Sequence, residues 1–228
     1  MPTFSVVGDG QLARMMHTAA IELGLAPRVL AARPDSSAAQ VFGDVYLGDY
    51  TRLADLQAVA RGASAVTFDH EHVPSEHLHT LISAGVVIEP RPEALIYAQD
   101  KLAQRRRLAE LGMPVPQFAP IADEQDAREF FAAVDGQVCV KATTGGYDGK
   151  GVWFPASIRD MCALLSPERT LMAERKIPFD RELSALVARN RSGEIRAWPV
   201  VESRQHDGVC AVAIAPAPQL DPQLERAC

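Results

Sequence analysis

The chain has 228 residues, 47% hydrophobic and 23% charged, enough to bury a core and the length of one or two domains. Its net charge of −6 argues against a general nucleic-acid binder, and no apolar run approaches membrane-spanning length. The first residues carry no basic region and lead straight into a strand, unlike a signal peptide. Cys139, Cys162, Cys210 and Cys228 are scattered without a C-x-x-C, as reduced thiols of a cytoplasmic protein would be.

Phe4-Ser5-Val6-Val7 reads as a short buried strand that runs into the turn Gly8-Asp9-Gly10. A helix follows from Leu12 to Leu23, with Leu12, Met15, Met16, Ala19, Ala20 and Leu23 at helical spacing, and Gly24 ends it. A second strand, Arg28 to Ala32, completes a β-α-β unit whose turn matches G-x-G-x-x-[GA]. A dinucleotide site needs an acidic residue at the end of that strand, and this chain has Ala31, Ala32 and Arg33 there. The helix N-terminus still favours an anion, so a phosphorylated substrate suits it as well as a cofactor does. The bland alternative is that both glycines only permit tight strand–helix packing.

A strand at Val45–Leu47, a helix from Thr51 (its N-cap) to Ala60, and a strand at Ala65–Phe68 come next. Asp69-His70-Glu71-His72-Val73-Pro74 lies at the C-terminal end of the last strand, where parallel sheets gather their ligands. A helix over Ser75–Ala84 and a strand at Val86–Ile88 follow. The alternation predicts a parallel sheet with helices on both faces for residues 1 to about 98. His70, His72, His77 and His79 with Glu71 have the chemistry of metal ligands, but no spacing here fits a metal motif and none is assigned. His77 and His79 read as solvated helix positions, and Asp69 and Glu71 as substrate-facing or helix-capping groups.

Pro90-Arg91-Pro92 marks the domain boundary. After it Asp100-Lys101 opens a helix from Lys101 to Gly112. Its run Arg105-Arg106-Arg107 reads as a solvated face, whereas Lys101, a cation at a helix start, hints at a bound anion. A strand at Gln117–Ile121 and a helix from Asp123 to Val134 lead to the strand Gln137-Val138-Cys139-Val140-Lys141. Then comes Thr143-Thr144-Gly145-Gly146-Tyr147-Asp148-Gly149-Lys150-Gly151, followed by the strand Val152-Trp153-Phe154. Four glycines in nine residues resist helix and strand. A lysine on the preceding strand and bare N–H groups in the hairpin are what a flap over nucleotide phosphates requires. The spacing is not a Walker A loop, which needs a hydroxyl after its lysine and opens a helix, nor a kinase loop, whose lysine follows the glycines. A ligand-free β-hairpin is the bland reading.

A helix over Ser157–Leu165 and a strand Thr170–Ile177, ending in Glu174, Arg175 and Lys176, come next. Asp180–Ala188 reads as one strand with Glu182, Ser184 and Leu186 on one face. Ala197–Ser203 and Gly208–Ile214 read as an antiparallel pair, and Pro216–Cys228 as a proline-broken stretch that begins a helical pattern.

Taken together, Gly8-Asp9-Gly10-Gln11-Leu12-Ala13-Arg14-Met15, Val66 to Pro74, Gln99-Asp100-Lys101, Lys141 with Thr144 to Gly151, Glu174, and Arg181-Glu182-Leu183-Ser184 resemble the ATP-grasp carboxylase–ligases. The likeness is strongest to the branch that carboxylates 5-aminoimidazole ribonucleotide in purine biosynthesis. It implies an α/β and α+β architecture: a parallel-sheet pre-ATP-grasp domain over residues 1–98 and a partial ATP-grasp domain over 99–228. It implies a cytoplasmic ATP-dependent ligase, a homodimer, with bicarbonate phosphorylated to carboxyphosphate as the carboxyl source, and neither nucleic acid nor membrane as partner. By the same resemblance Lys101 and Lys141 contact ATP phosphates, and Gly146, Tyr147, Asp148, Gly149, Lys150, Gly151 and Val152 form the flap. Glu174, Arg175, Lys176 and Ile177 line the adenine pocket, Glu182 holds the ribose hydroxyls, and Gln205 stands where the family has a further nucleotide-binding side chain. Gln11, Leu12 and Glu71 border the ribonucleotide. No catalytic residue is assigned. The family's Mg²⁺ carboxylates are expected beyond Cys228, which makes this chain look truncated within its ATP-grasp domain. Another ATP-grasp ligase, of the formate-dependent transformylase or biotin carboxylase type, and a non-catalytic nucleotide-binding module are the alternatives.

Overall fold

The computed structural model of the chain describes residues 1–146 and 150–228, which fall into two compact units, Met1–Gln104 and Arg105–Cys228. The first unit is built from β1 (Thr3–Val7), α1 (Gln11–Glu22), β2 (Ala26–Ala31), β3 (Val45–Leu47), α2 (Leu53–Ala60), β4 (Ala65–Phe68), α3 (Ser75–Ser83) and α4 (Pro92–Gln99). Its strands form a parallel sheet in the order β3-β2-β1-β4.

Strand alternation decides which helix covers which face. Val7 and Leu30 point to one side, where Leu56, Val59 and Ala60 of α2, Leu78 and Leu81 of α3 and Leu95 of α4 bury them. Val6, Val29 and Ala31 point to the other, against Ala13 of α1 and the Ala38–Phe42 turn. Ser5 falls on the α2 side without leaving its hydroxyl unpaired, because it donates to the Val59 carbonyl at 2.6 Å. Helices therefore cover both faces, as the alternation of elements predicts.

Several local expectations need correction. The buried stripe of α1 is Ala13, Met16 and Ala20, while Leu12, Met15, Ala19 and Leu23 face solvent. A close sheet accepts the small alanines and not the longer side chains on the adjacent stripe. Thr51 is not the cap of α2. That position is Arg52, and the Thr51 hydroxyl instead donates to Asp49 Oδ1 at 2.8 Å. Val86–Ile88 contributes a single parallel bridge, Ile88 to Val66, rather than a strand. Pro90–Pro92 does break the chain, but Pro92 also starts α4, since a proline at a first helical position forgoes an N–H that would be unpaired anyway.

Helix α5 (Lys101–Glu110) carries the chain across the division between the units, with Asp100 Oδ1 accepting from the N–H groups of Leu102 and Ala103. The second unit continues with β5 (Phe118–Ile121), α6 (Glu124–Ala133), β6 (Val138–Ala142), β7 (Val152–Trp153), α7 (Ile158–Cys162) and β8 (Leu171–Arg175). Its first sheet runs β5-β8-β6-β7, antiparallel throughout. Ile121, Val138, Val140, Leu171 and Ala173 bury one face of it against Phe130 and Val134 at α6 and Met161 of α7. Asp123 caps α6 by accepting from Asp126 N–H, while Asp126 accepts from Ala122 N–H in return.

The chain then forms β9 (Glu182–Ser184), β10 (Val187–Arg189), β11 (Ile195–Ala197), β12 (Val201–His206), β13 (Val209–Ile214) and α8 (Pro222–Ala227). Asp180–Ala188 is thus two strands and not one. β9 joins the sheet β13-β12-β9, and β10 leaves it to pair with β11. The expected strand over Ala197–Ser203 is likewise split, because Pro199 has no N–H to give a ladder.

Candidate functional site

The face of the β5-β8-β6-β7 sheet opposite that core carries the site. Alternation sends Val138 and Val140 of β6 into the core and Cys139 and Lys141 to the opposite side. On β8 it sends Leu171 and Ala173 inward and Glu174 outward, opposite Cys139 in the antiparallel register. Glu174 and Lys141 are therefore diagonal neighbours, and Lys141 Nζ donates to Glu174 Oε2 at 2.5 Å. Arg105 Nε, from α5, donates to the other oxygen, Glu174 Oε1. Glu174 is only 4% exposed.

Beside this cluster lies a cavity of about 580 Å³. Cys139, Lys141 and Glu174 form its polar floor, Val152 and Phe154 one wall, and Ile177, Pro178 and Phe179 another, with Glu182 of β9 at its edge. Phe154 and Phe179 are 60% and 64% exposed, a large apolar area for solvent to cover. Lys176 Nζ lies 5.3 Å from the Phe154 ring centroid. Burial pushes the Cys139 thiol pKa upward, so it stays protonated at neutral pH. An apolar slot with a cationic, hydrogen-bonding floor suits a planar base carrying anionic groups.

The glycine-rich segment meets this face. Ala142 N–H donates to the Gly151 carbonyl at 2.9 Å, and Lys141 pairs with Val152. Gly146 has φ +119, and a Cβ there would stand 2.5 Å from the Lys150 carbonyl, so a side chain has no room. Gly146, Lys150, Gly151 and Val152 are in this hairpin. Tyr147, Asp148 and Gly149 lie outside the described residues. Glu174, Arg175, Lys176, Ile177 and Glu182 gather at the cavity. Gln205 does not: it is exposed on β12, beside the register shift between Arg204 and Gln205.

Arg105 is the residue that reasoning from sequence misassigned. It is not part of a solvated run. Its side chain is 22% exposed and engaged with Glu174. The available signal was its spacing of four from Lys101, which puts both cations on one helix face.

In the first unit the turn after β1 is tied to the end of β4. Asp69 Oδ2 accepts from Gly10 N–H at 2.8 Å, and Asp9 Oδ2 accepts from Ala32 N–H at 2.9 Å. Gly8 has φ +108, and a Cβ there would come within 1.7 Å of Asp69 Oδ1. These glycines make room for a carboxylate, beyond close strand–helix packing. Gln11 and Leu12 open α1 from this turn and are exposed, and Glu71 lies two residues beyond Asp69, half-buried, with its carbonyl accepting from Gln99 Nε2 at 2.7 Å. Lys101 is half-buried in the first turn of α5. His77 is more than a solvated helix position, for its Nε2 is 2.9 Å from the Thr51 carbonyl. His70 Nδ1 accepts from His72 N–H, leaving the proton on Nε2 toward Asp69, and burial lowers its pKa. Among the described residues no group of three His, Cys, Asp or Glu side chains could hold a metal ion.

The ribonucleotide synthetase preATP-grasp domain family matches residues 1–99, and the ATP-grasp domain family matches residues 106–228. The chain belongs to the ATP-grasp family. Among curated relatives of this ATP-grasp chain, the N5-carboxyaminoimidazole ribonucleotide synthase of Corynebacterium ammoniagenes is 60% identical over 99% of this chain and 56% of its own length. That of Mycobacterium bovis is 47% identical over 99% of this chain and 54% of its own. The chain thus spans little more than half the length of the curated relatives it matches. Among solved structures, the Thermus thermophilus synthetase superposes with a TM-score of 0.89 at 31% identity, covering 98% of this chain and 61% of that one. The Aspergillus clavatus synthase in complex with ADP and 5-aminoimidazole ribonucleotide gives 0.86 at 25% identity, covering 99% and 60%. No helix among the described residues is long and apolar enough to cross a membrane.

Proposed function

We propose that this chain binds ATP in the cavity of its second unit. We further propose that it carries the nucleotide-binding part of an ATP-dependent carbon–nitrogen ligase. The ligase carboxylates 5-aminoimidazole ribonucleotide with bicarbonate, through carboxyphosphate, in the purine biosynthesis of the cytoplasm. The observation that carries the reading is Lys141 and Glu174 on one sheet face, beside an apolar slot, in a chain similar to synthases of this kind.

In this reading Lys101 and Lys141 meet the phosphates, and Lys150 belongs to the flap. Positioned cations and backbone N–H groups stabilise the charge that develops on a phosphoryl group in transfer. Val152, Phe154 and Ile177 flank the base, Glu174 to Ile177 offer polar groups to its edge, and Glu182 accepts from ribose hydroxyls. Gln11, Leu12 and Glu71 border the ribonucleotide. The protein is a homodimer. The carboxylates among the described residues do not fit a magnesium site.

Calorimetry with ATP tests the reading. Lys141→Ala removes a charge-assisted contact of about 1.5–3 kcal/mol, so affinity falls roughly 10–100-fold. Equal affinity in parent and variant refutes the phosphate assignment. ATP turnover by a full-length chain, stimulated by 5-aminoimidazole ribonucleotide and bicarbonate but not by formate or biotin, separates this ligase from its relatives.

A further inference from the structure

We propose that Arg105 is a positioning residue, the standing counter-cation of Glu174, whose presence lets Lys141 leave that carboxylate for a nucleotide phosphate. The inference rests on the nucleotide reading of the cavity and names a requirement that the reading does not contain.

Glu174 is 4% exposed, and its two oxygens take different cations: Oε2 from Lys141 Nζ and Oε1 from Arg105 Nε. One carboxylate thus lies between two cations. If Lys141 alone neutralised Glu174, turning its ammonium to a phosphate would strand a buried, unpaired carboxylate, a severe penalty that would hold the lysine in place. With Arg105 on the other oxygen, the departure of Lys141 leaves a neutral ion pair. Arginine suits the standing role because its guanidinium is always charged and its fork is fixed, whereas the single ammonium of Lys141 on a flexible stem suits the moving one. The scaffold agrees with this division. Arg105 comes from helix α5, with a side chain 22% exposed, and Lys141 stands on the sheet, directed at the cavity.

A purely structural ion cluster predicts otherwise, and the difference can be measured. Binding of ATP is followed by calorimetry and binding of adenosine, which has the base and ribose but no phosphate, by ligand-detected NMR. Arg105→Ala weakens ATP by at least about tenfold, the equivalent of one charge-assisted contact, and leaves adenosine within about twofold. Arg105→Lys keeps most of the ATP affinity. In a Glu174→Gln background, where a neutral amide needs no counter-cation, adding Arg105→Ala costs little further. Should Arg105→Ala alone fail to fold, the Glu174→Gln pair, with and without Arg105→Ala, carries the test. Equal loss of ATP and adenosine, or an undiminished Arg105→Ala penalty in the Glu174→Gln background, overturns the proposal. So does parental ATP affinity in Arg105→Ala while Lys141→Ala is weak. If Lys141→Ala also binds ATP as the parent does, the phosphate assignment falls first and the role of Arg105 with it.

Discussion

Gly8→Ala is a demanding change for the first unit. Gly8 sits at φ +108, and its missing side chain is the space occupied by Asp69: an alanine Cβ would lie 1.7 Å from Asp69 Oδ1, 2.7 Å from Asp69 Cγ and 2.9 Å from His70 Cδ2. Asp69 must move, and its contact with Gly10 N–H, now 2.8 Å, goes with it. The lost charge-assisted hydrogen bond is worth about 1.5–3 kcal/mol and the left-handed backbone about 1–2 kcal/mol, together about 2.5–5 kcal/mol. Gly24→Ala is the matched control. It also has positive φ, +65, but its Cβ would meet nothing within 4 Å, so only the backbone part applies, about 1–2 kcal/mol. Urea unfolding followed by far-UV circular dichroism compares the two. Tryptophan fluorescence reports on the second unit, which holds both Trp153 and Trp198. A Gly8→Ala penalty no larger than that of Gly24→Ala would refute the argument that this glycine exists to admit the Asp69 carboxylate.

Two further outcomes follow from perturbed titrations. His70 is held neutral chiefly by burial, against the attraction of Asp69, Glu71 and Asp9, so its folded pKa lies below its unfolded one. Above about pH 6.5 it adds no pH dependence, and as pH falls from there toward the folded value the unfolded chain takes up the proton first and stability declines. His70→Gln should flatten that part of the stability–pH curve, and an unchanged slope counts against it. Cys210 and Cys228 are exposed, and Cys139 is buried with a raised thiol pKa, so a thiol reagent at neutral pH should modify the first two rapidly and Cys139 only on unfolding. Rapid modification of Cys139 in the folded chain, read by mass spectrometry of peptides, would contradict the packing of β6.

Local signals in the sequence determine much of this protein's fold. Hydrophobic alternation and period 3.6 mark the strands and helices of the first sheet, because each of those elements buries one regular face. The lysine of β6 and the glycines after it are legible because few other structures use that composition. What failed was whatever depends on a partner distant in sequence. The stripe of α1 that is buried was decided by how near the sheet stands, and small Ala13 and Ala20 won over Leu12 and Met15. The run Asp180–Ala188 has the pattern of one strand, yet β9 and β10 join different sheets, a matter of which neighbours offer hydrogen bonds. Arg105 looked like one of three solvated arginines until the chain brought Glu174, 69 residues away, against it. Periodicity records which side of an element is apolar. It does not record which charge lies across the gap, and only the folded chain settles that, since a buried carboxylate has to meet its cations wherever along the sequence they occur.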